Sequence, residues 1–118
     1  MELVFLLCLF FKHAFVDLPL QVHLGPLSKI KYLGNGHKHY AEHGFFTFIV
    51  ALFFFDPLTA VKIGMVDYIL HWHIDFAKQH VCNLMKYKRH STGWWWITAV
   101  DQCLHFATYF LIFYIFTN

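Results

Sequence analysis

Charge is what this chain has least of. Asp, Glu, Lys and Arg make up 14% of its 118 residues, against 58% hydrophobic residues and 15 Phe. A soluble domain of this length needs a larger polar surface to stay dissolved. The composition therefore excludes an ordinary soluble fold and points to a membrane protein whose excess apolar area is covered by lipid. The net charge of +2 is too small for a nucleic-acid binder, and no Lys/Arg cluster follows a helix face. Cysteine is sparse too: Cys8, Cys82 and Cys103 form no CxxC or other metal spacing. Their odd number argues against a disulfide framework, and Cys8 and Cys103 lie in apolar runs where a thiol behaves as a small hydrophobe. Internal repeats and low-complexity tracts are missing, and the length holds one domain. The N-terminal Met1-Glu2-Leu3-Val4-Phe5 lacks the basic region of a secretory signal, so it reads as the start of a retained first span.

A spanning helix needs about 20 mostly apolar residues. Four segments are expected to supply one each, at about 3–21, 37–55, 58–78 and 94–116, which gives an all-α, polytopic membrane four-helix bundle. The second segment is strictly apolar only from Gly44 to Phe55 and reaches spanning length by taking His39 and His43 inside. Gly25-Pro26 and Gly34-Asn35-Gly36 mark a loop, and Asp56-Pro57 a tight turn with Pro placed to open the third helix. Trp94-Trp95-Trp96 stands where an interfacial aromatic belt would lie. Seven of the nine Lys/Arg (Lys29, Lys31, Lys38, Lys78, Lys86, Lys88 and Arg89) flank the first and third loops. This bias sets those loops in the cytoplasm and both termini outside, with a bacterial inner membrane as the expected location.

Against this apolar background stand four pairs of ionisable residues spaced four apart: His13/Asp17, His39/His43, His71/Asp75 and Asp101/His105. Each pair occupies one face of one helix, and in the four-span arrangement all four fall in the cytoplasmic half. An Asp near the bilayer centre costs roughly 2.5–3.5 kcal/mol on insertion scales. Coordination to a cation offsets that cost, because the ion supplies the charge each carboxylate lacks. The pairs offer five His and three Asp, a donor set suited to Zn, Mn or Fe. Eight groups exceed one tetrahedral ion and fit either two ions or one ion with His–carboxylate partners around it. A single pair of this kind is more often a local hydrogen bond or packing contact; it is the set of four that points to a shared divalent-metal or proton-handling site. Asp67, four residues before His71, extends the same face, and Asp67 or Asp101 is the candidate general base. His73 falls on another face, and His23, His37, His80 and His90 sit in loops or near helix ends.

The same residues resemble a family of small membrane proteins of bacteria and phages, DUF3307. His13-Ala-Phe-Val-Asp17-Leu-Pro-Leu-Gln21 looks like its H-x3-D-F-x2-Q element, with Leu18 in place of the usual aromatic. His39-x3-His43 resembles its paired-His helix, His71-Trp-His-Ile-Asp75-Phe-Ala-Lys78 its H-F-x-I-D-x-x-K segment, and Asp101-Gln102-Cys-Leu-His105 its D-Q-x-L-H segment. The resemblance implies a multi-pass membrane protein, supplies no activity, and adds Gln21 and Gln102 as groups that orient ligands or substrate. The shorter loops would suit a phage version.

Three functions remain open at this point. One is a metal-dependent hydrolase acting on a lipid or lipid-linked substrate, in which the ion activates water. The second is a proton or metal-ion conduit, for which four short helices would need a homo-oligomer. The third is a non-enzymatic phage membrane protein, holin-like or binding a host membrane complex. The outer halves of the spans (Leu3–Phe11, Phe48–Phe55 and Tyr109–Phe116) are almost wholly apolar, which favours a one-sided pocket over a pore.

Overall fold

The computed structural model describes residues 1–17, 32–34 and 36–118. Gln21, His23 and the basic residues Lys29 and Lys31 lie outside the described residues. Among the described residues all regular structure is helical: α1 (Glu2–Asp17), α2 (Gly36–Ala51), α3 (Pro57–Leu84) and α4 (Thr92–Thr117). Each helix packs on two neighbours, in the ring order α1, α2, α3, α4 and back to α1. Neighbours run antiparallel. Along α1 and α4, for example, Phe10 meets Phe110, His13 meets His105, and Asp17 meets Gln102.

The helix ends follow from local chemistry. α2 stops at Ala51, short of the expected residue 55, because the next amides turn back to nearer carbonyls, Phe53 to Val50 and Phe54 to Ala51. Pro57 then disfavours helical backbone at Asp56, which is extended and accepts a hydrogen bond from the Thr59 amide as the N-cap of α3. At its far end α3 runs six residues past the expected Lys78, to Leu84. There the chain turns at left-handed Lys86 (φ 55°), and the Tyr87 amide bonds back to the Cys82 carbonyl. Ser91 caps α4 through the Trp94 amide.

Length separates the helices. At ~1.5 Å per residue, the 16 residues of α1 and of α2 cover about 24 Å, less than the ~30 Å hydrocarbon core of a bilayer. One helix among the described residues, α4, is long and apolar enough to cross a membrane by length and composition.

The interior is divided into two layers. At the end formed by the start of α1 and the end of α4, Phe5, Leu6, Leu9, Ala51, Ala60, Ile63 and Ile112 make an apolar core. Phe5 seals it, tilted against Phe54 and edge-on to Phe55, at 5.2 and 5.1 Å between ring centres. Toward the other end most of the buried residues are polar: Lys12, His13, His39, His43, Thr47, Asp67, His71, Asp75, Asp101 and His105, with Val16 and Tyr40 among them. The outward faces carry the reverse pattern, with Leu3, Phe11, Leu58, Met65, Phe110 and Ile115 all exposed.

α2 and α3 touch at Gly44 and Gly64. A Cβ on Gly44 would lie 2.9 Å from the Tyr68 Cβ and 3.0 Å from the Gly64 carbonyl; one on Gly64 would lie 2.8 Å from the Gly44 carbonyl. Backbone cannot yield as a side-chain tip can, so Gly44→Ala and Gly64→Ala should each force the helices apart. The expected loss is about 1–3 kcal/mol, read as a lowered unfolding midpoint in detergent. Unchanged midpoints for both variants would contradict this close crossing.

Candidate metal centre

All eight residues of the four i,i+4 pairs stand in the polar layer, because antiparallel packing sets the C-terminal part of α1 and of α3 beside the N-terminal part of α2 and of α4. At the middle lies the Asp17 carboxylate. Its Oδ1 is 3.2 Å from His39 Nε2, 3.3 Å from His43 Nε2 and 3.9 Å from His71 Nε2. Two helices, α2 and α3, thus aim ring nitrogens at one carboxylate oxygen carried by α1. For ligands about 2.0–2.1 Å from an ion, the edges of a tetrahedron are about 3.3 Å, so these separations have the size of a coordination shell. Asp17, His39, His43 and His71 form one group that could hold a metal ion; His71, Asp75 and His105 form a second.

Hydrogen bonding sorts the ligands. His39 and His71 are fully buried, and among the described residues neither ring nitrogen of either has a hydrogen-bond partner. Buried polar atoms are rarely left so, and ring nitrogens set against carboxylate oxygens are an arrangement that a cation between them would satisfy. His43 differs. Lys12 Nζ lies 3.2 Å from its Nδ1, and an ammonium only donates. Nδ1 therefore accepts, and Nε2 carries the ring proton toward Asp17 Oδ1. Ligation by His43 requires that proton to leave.

His13 belongs to neither group of ligand atoms. The Gln102 amide nitrogen faces two carboxylates, Asp17 Oδ2 at 3.3 Å and Asp101 Oδ2 at 3.2 Å. That orientation turns Gln102 Oε1 to His13 Nε2, which donates to it over 3.2 Å. His13 Nδ1 then accepts from the Tyr109 hydroxyl at 2.9 Å. Both ring nitrogens of His13 are engaged, so it holds its neighbours in place rather than offering a lone pair. Gln102 acts in the same way, tying the Asp17 and Asp101 carboxylates together.

Asp101 lies between His105 Nε2 (3.3 Å to Oδ1) and Lys78 Nζ (3.7 Å to Oδ2). Its Oδ1, like the ring nitrogens of His39 and His71, makes no hydrogen bond among the described residues. Asp67 is placed otherwise than a general base requires. It is 1% exposed, its Oδ2 accepts from Lys12 at 2.7 Å, and Thr47 donates to the same oxygen. A carboxylate shut into an ion pair beneath the ligands meets no substrate, so the expectation of a base at Asp67 is corrected.

Lys12 is the functional residue that the sequence pattern conceals. Read along the chain, it interrupts an apolar run. In the fold it is buried and donates to Asp67, to Tyr109 at 3.0 Å and to His43, joining α1 to all three other helices. The available signal is Asp67 itself, a further carboxylate in an apolar stretch with no Lys or Arg three or four residues away on its own helix. His73 bonds the Ile69 carbonyl and Tyr32 at the surface, and His37 bonds Tyr68 and the Tyr32 carbonyl; both stand apart from the two groups.

Removing one partner of a buried ion pair leaves the other charge uncompensated, at about 3–5 kcal/mol. Lys12→Met should therefore destabilise the protein strongly, and adding Asp67→Asn should recover much of the loss. Unfolding in detergent of the two single variants and the double variant gives the coupling. Additive losses would contradict the pairing.

Compared with protein families, curated proteins and solved structures, the chain matches none, so its function is argued from this geometry.

Proposed function

We propose that this chain is a multi-pass membrane protein that binds a divalent transition metal, Zn, Mn or Fe, and works as a hydrolase on a lipid or lipid-linked substrate. The observation that carries the reading is the convergence of His39 and His43 of α2 and His71 of α3 on Asp17 Oδ1 of α1, at 3.2 to 3.9 Å. His39 and His71 would be the principal ligands, since they surrender no hydrogen bond. With an ion on Nε2, the Nδ1–H of His71 needs an acceptor. Asp67 Oδ1, one helical turn earlier on α3 and also buried without a hydrogen-bond partner among the described residues, is the carboxylate oxygen suited to accept it. An ion held this way would polarise an ester or phosphoryl oxygen and activate water.

Membrane embedding is supported by the inverted distribution of residues. Charged and imidazole side chains are enclosed, while large apolar side chains face outward on α1, α3 and α4. Exposed apolar area of that extent marks contact with lipid or a partner surface. The DUF3307 resemblance belongs to the same proposal, as does the orientation with the polar layer toward the cytoplasm.

The hydrolase is favoured over the conduit by the apolar core. Phe5, Leu9, Ile63 and Ile112 are each at most 1% exposed and fill the bundle beyond the polar layer. A proton or ion path would have to cross them, whereas a pocket reached from one side would not.

Protein purified in detergent without chelators should carry stoichiometric divalent transition metal by elemental analysis. His39→Ala and His71→Ala should lower that content severalfold, with His80→Ala, an exposed histidine on the same α3, unchanged. Incubation of the loaded protein with phospholipid vesicles should release fatty acid or a phosphorylated head group, followed by mass spectrometry. Wild-type protein with no metal and no thermal shift on adding Zn, Mn or Fe would overturn the metal site. Reporter fusions at Asn118 and beside Arg89 should report opposite sides of the membrane, with Arg89 cytoplasmic; both on one side would overturn the topology.

A further inference from the structure

Three imidazoles face Asp17 Oδ1, but they do not face it alike. His43 Nε2 meets it in a hydrogen bond at 3.3 Å. His39 Nε2 and His71 Nε2 lie at 3.2 and 3.9 Å and make no hydrogen bond among the described residues. A ring nitrogen that delivers its hydrogen to the carboxylate has no lone pair there for an ion.

Lys12 fixes that hydrogen in place. An ammonium has three N–H donors, and Lys12 Nζ has three partners: Asp67 Oδ2 at 2.7 Å, the Tyr109 hydroxyl at 3.0 Å and His43 Nδ1 at 3.2 Å. The Tyr109 hydroxyl passes its own hydrogen on to His13 Nδ1, so each donor in this chain meets an acceptor. A neutral amine at Lys12 would leave the buried Asp67 carboxylate without a counter-charge. His43 Nδ1 is therefore held as an acceptor, and Nε2 keeps the ring hydrogen.

The surroundings of a ligand would be the reverse. A histidine that binds a metal through Nε2 presents Nδ1–H to a carboxylate, a carbonyl or water. His71 has the Asp67 carboxylate one turn away for this purpose, whereas His43 has an ammonium, which only donates.

We infer that His43 is a hydrogen-bond donor standing beside the ion, kept in its Nε2–H form by Lys12, and that the protein ligands are Asp17, His39 and His71. The inference rests on the metal-binding reading above and adds to it the kind of site. Four-ligand sites are typically closed and structural, and three-ligand sites keep a position for water or substrate. The His43 ring stacks on that of His71, with 3.6 Å between centres and 22° between planes. Both Nε2 atoms face Asp17 Oδ1, and the four candidate ligand atoms lie within 4.8 Å of one another. The His43 N–H thus borders the position that three ligands leave open. A carbonyl or phosphoryl oxygen of the substrate entering that position would accept this hydrogen, which otherwise rests on Asp17, and its negative charge would be stabilised there. Lys12 touches no substrate and is a positioning residue that acts through His43.

Nitrogen-15 NMR of the histidine rings tests this in full-length protein in detergent, loaded with Zn2+. His43, assigned by the signal lost in His43→Leu, should show a protonated Nε2 and a bare Nδ1. His39 and His71 should show the opposite, Nδ1–H with zinc on Nε2. His43→Leu and His43→Gln should keep the zinc content of wild type, whereas His39→Ala loses it severalfold. Inorganic phosphate titrated into the zinc-loaded protein should bind about tenfold more weakly to His43→Leu. His43→Gln, whose amide offers a donor in place of Nε2–H, should recover most of that loss. A zinc-bound Nε2 on His43, or zinc lost from both His43 variants as from His39→Ala, would overturn the inference and leave the metal reading standing. Equal phosphate affinity in wild type and His43→Leu would also overturn it. Wild-type protein that holds no zinc would overturn the metal reading and this inference with it.

Discussion

Enclosing carboxylates and imidazoles inside a ring of helices whose outer faces are apolar is the constraint on which the rest of this protein depends. Isolated buried charges are very unfavourable, so each must face a partner on another helix. The Asp17 carboxylate meets imidazoles of α2 and α3. Asp75 meets imidazoles of α2, α3 and α4, and Lys12 ties α1 to the other three. These contacts specify the register of the bundle more sharply than apolar packing can, because sliding one helix by a turn would strand several charges at once.

The same constraint explains the division of the interior. Aromatic and aliphatic side chains fill one end, where Phe5 packs on Phe54 and Phe55. The polar layer fills the other, backed by the Lys12–Asp67 pair with its bonds to Thr47 and Tyr109. The rigid apolar end and this ion pair together hold the ligand-bearing helices at a fixed spacing. A metal bound there would find its ligands already gathered by these contacts.

Much of this was legible in the sequence, for a simple reason. Spacing of four puts two side chains on one helix face whatever the tertiary fold, so His71 and Asp75, or Asp101 and His105, announce a shared face without further information. Links between helices carry no such signal. Lys12 and Asp67 are 55 residues apart, and nothing local in either segment pairs them. By spacing alone Asp67 is therefore a candidate base, and His13, whose ring nitrogens are taken by Tyr109 and Gln102, an equal member of the ligand set. Helix lengths were also only partly legible. Hydrophobicity extends through Phe55, but the Asp56-Pro57 turn already reshapes the backbone from Leu52 onward. Lys78 looked like an end, yet the helix continues to Leu84 because nothing before Lys86 breaks it.

X-ray absorption at the metal edge of loaded protein tests the central claim most directly, since it sees the atoms around the ion whatever the reaction. The account predicts a first shell of nitrogen and oxygen at about 2.0–2.2 Å, with the outer-shell scattering of two or more imidazole rings. That scattering should weaken in His39→Ala and His71→Ala. A shell of water oxygens without imidazole, or one containing sulfur from Cys8, Cys82 or Cys103, would contradict it.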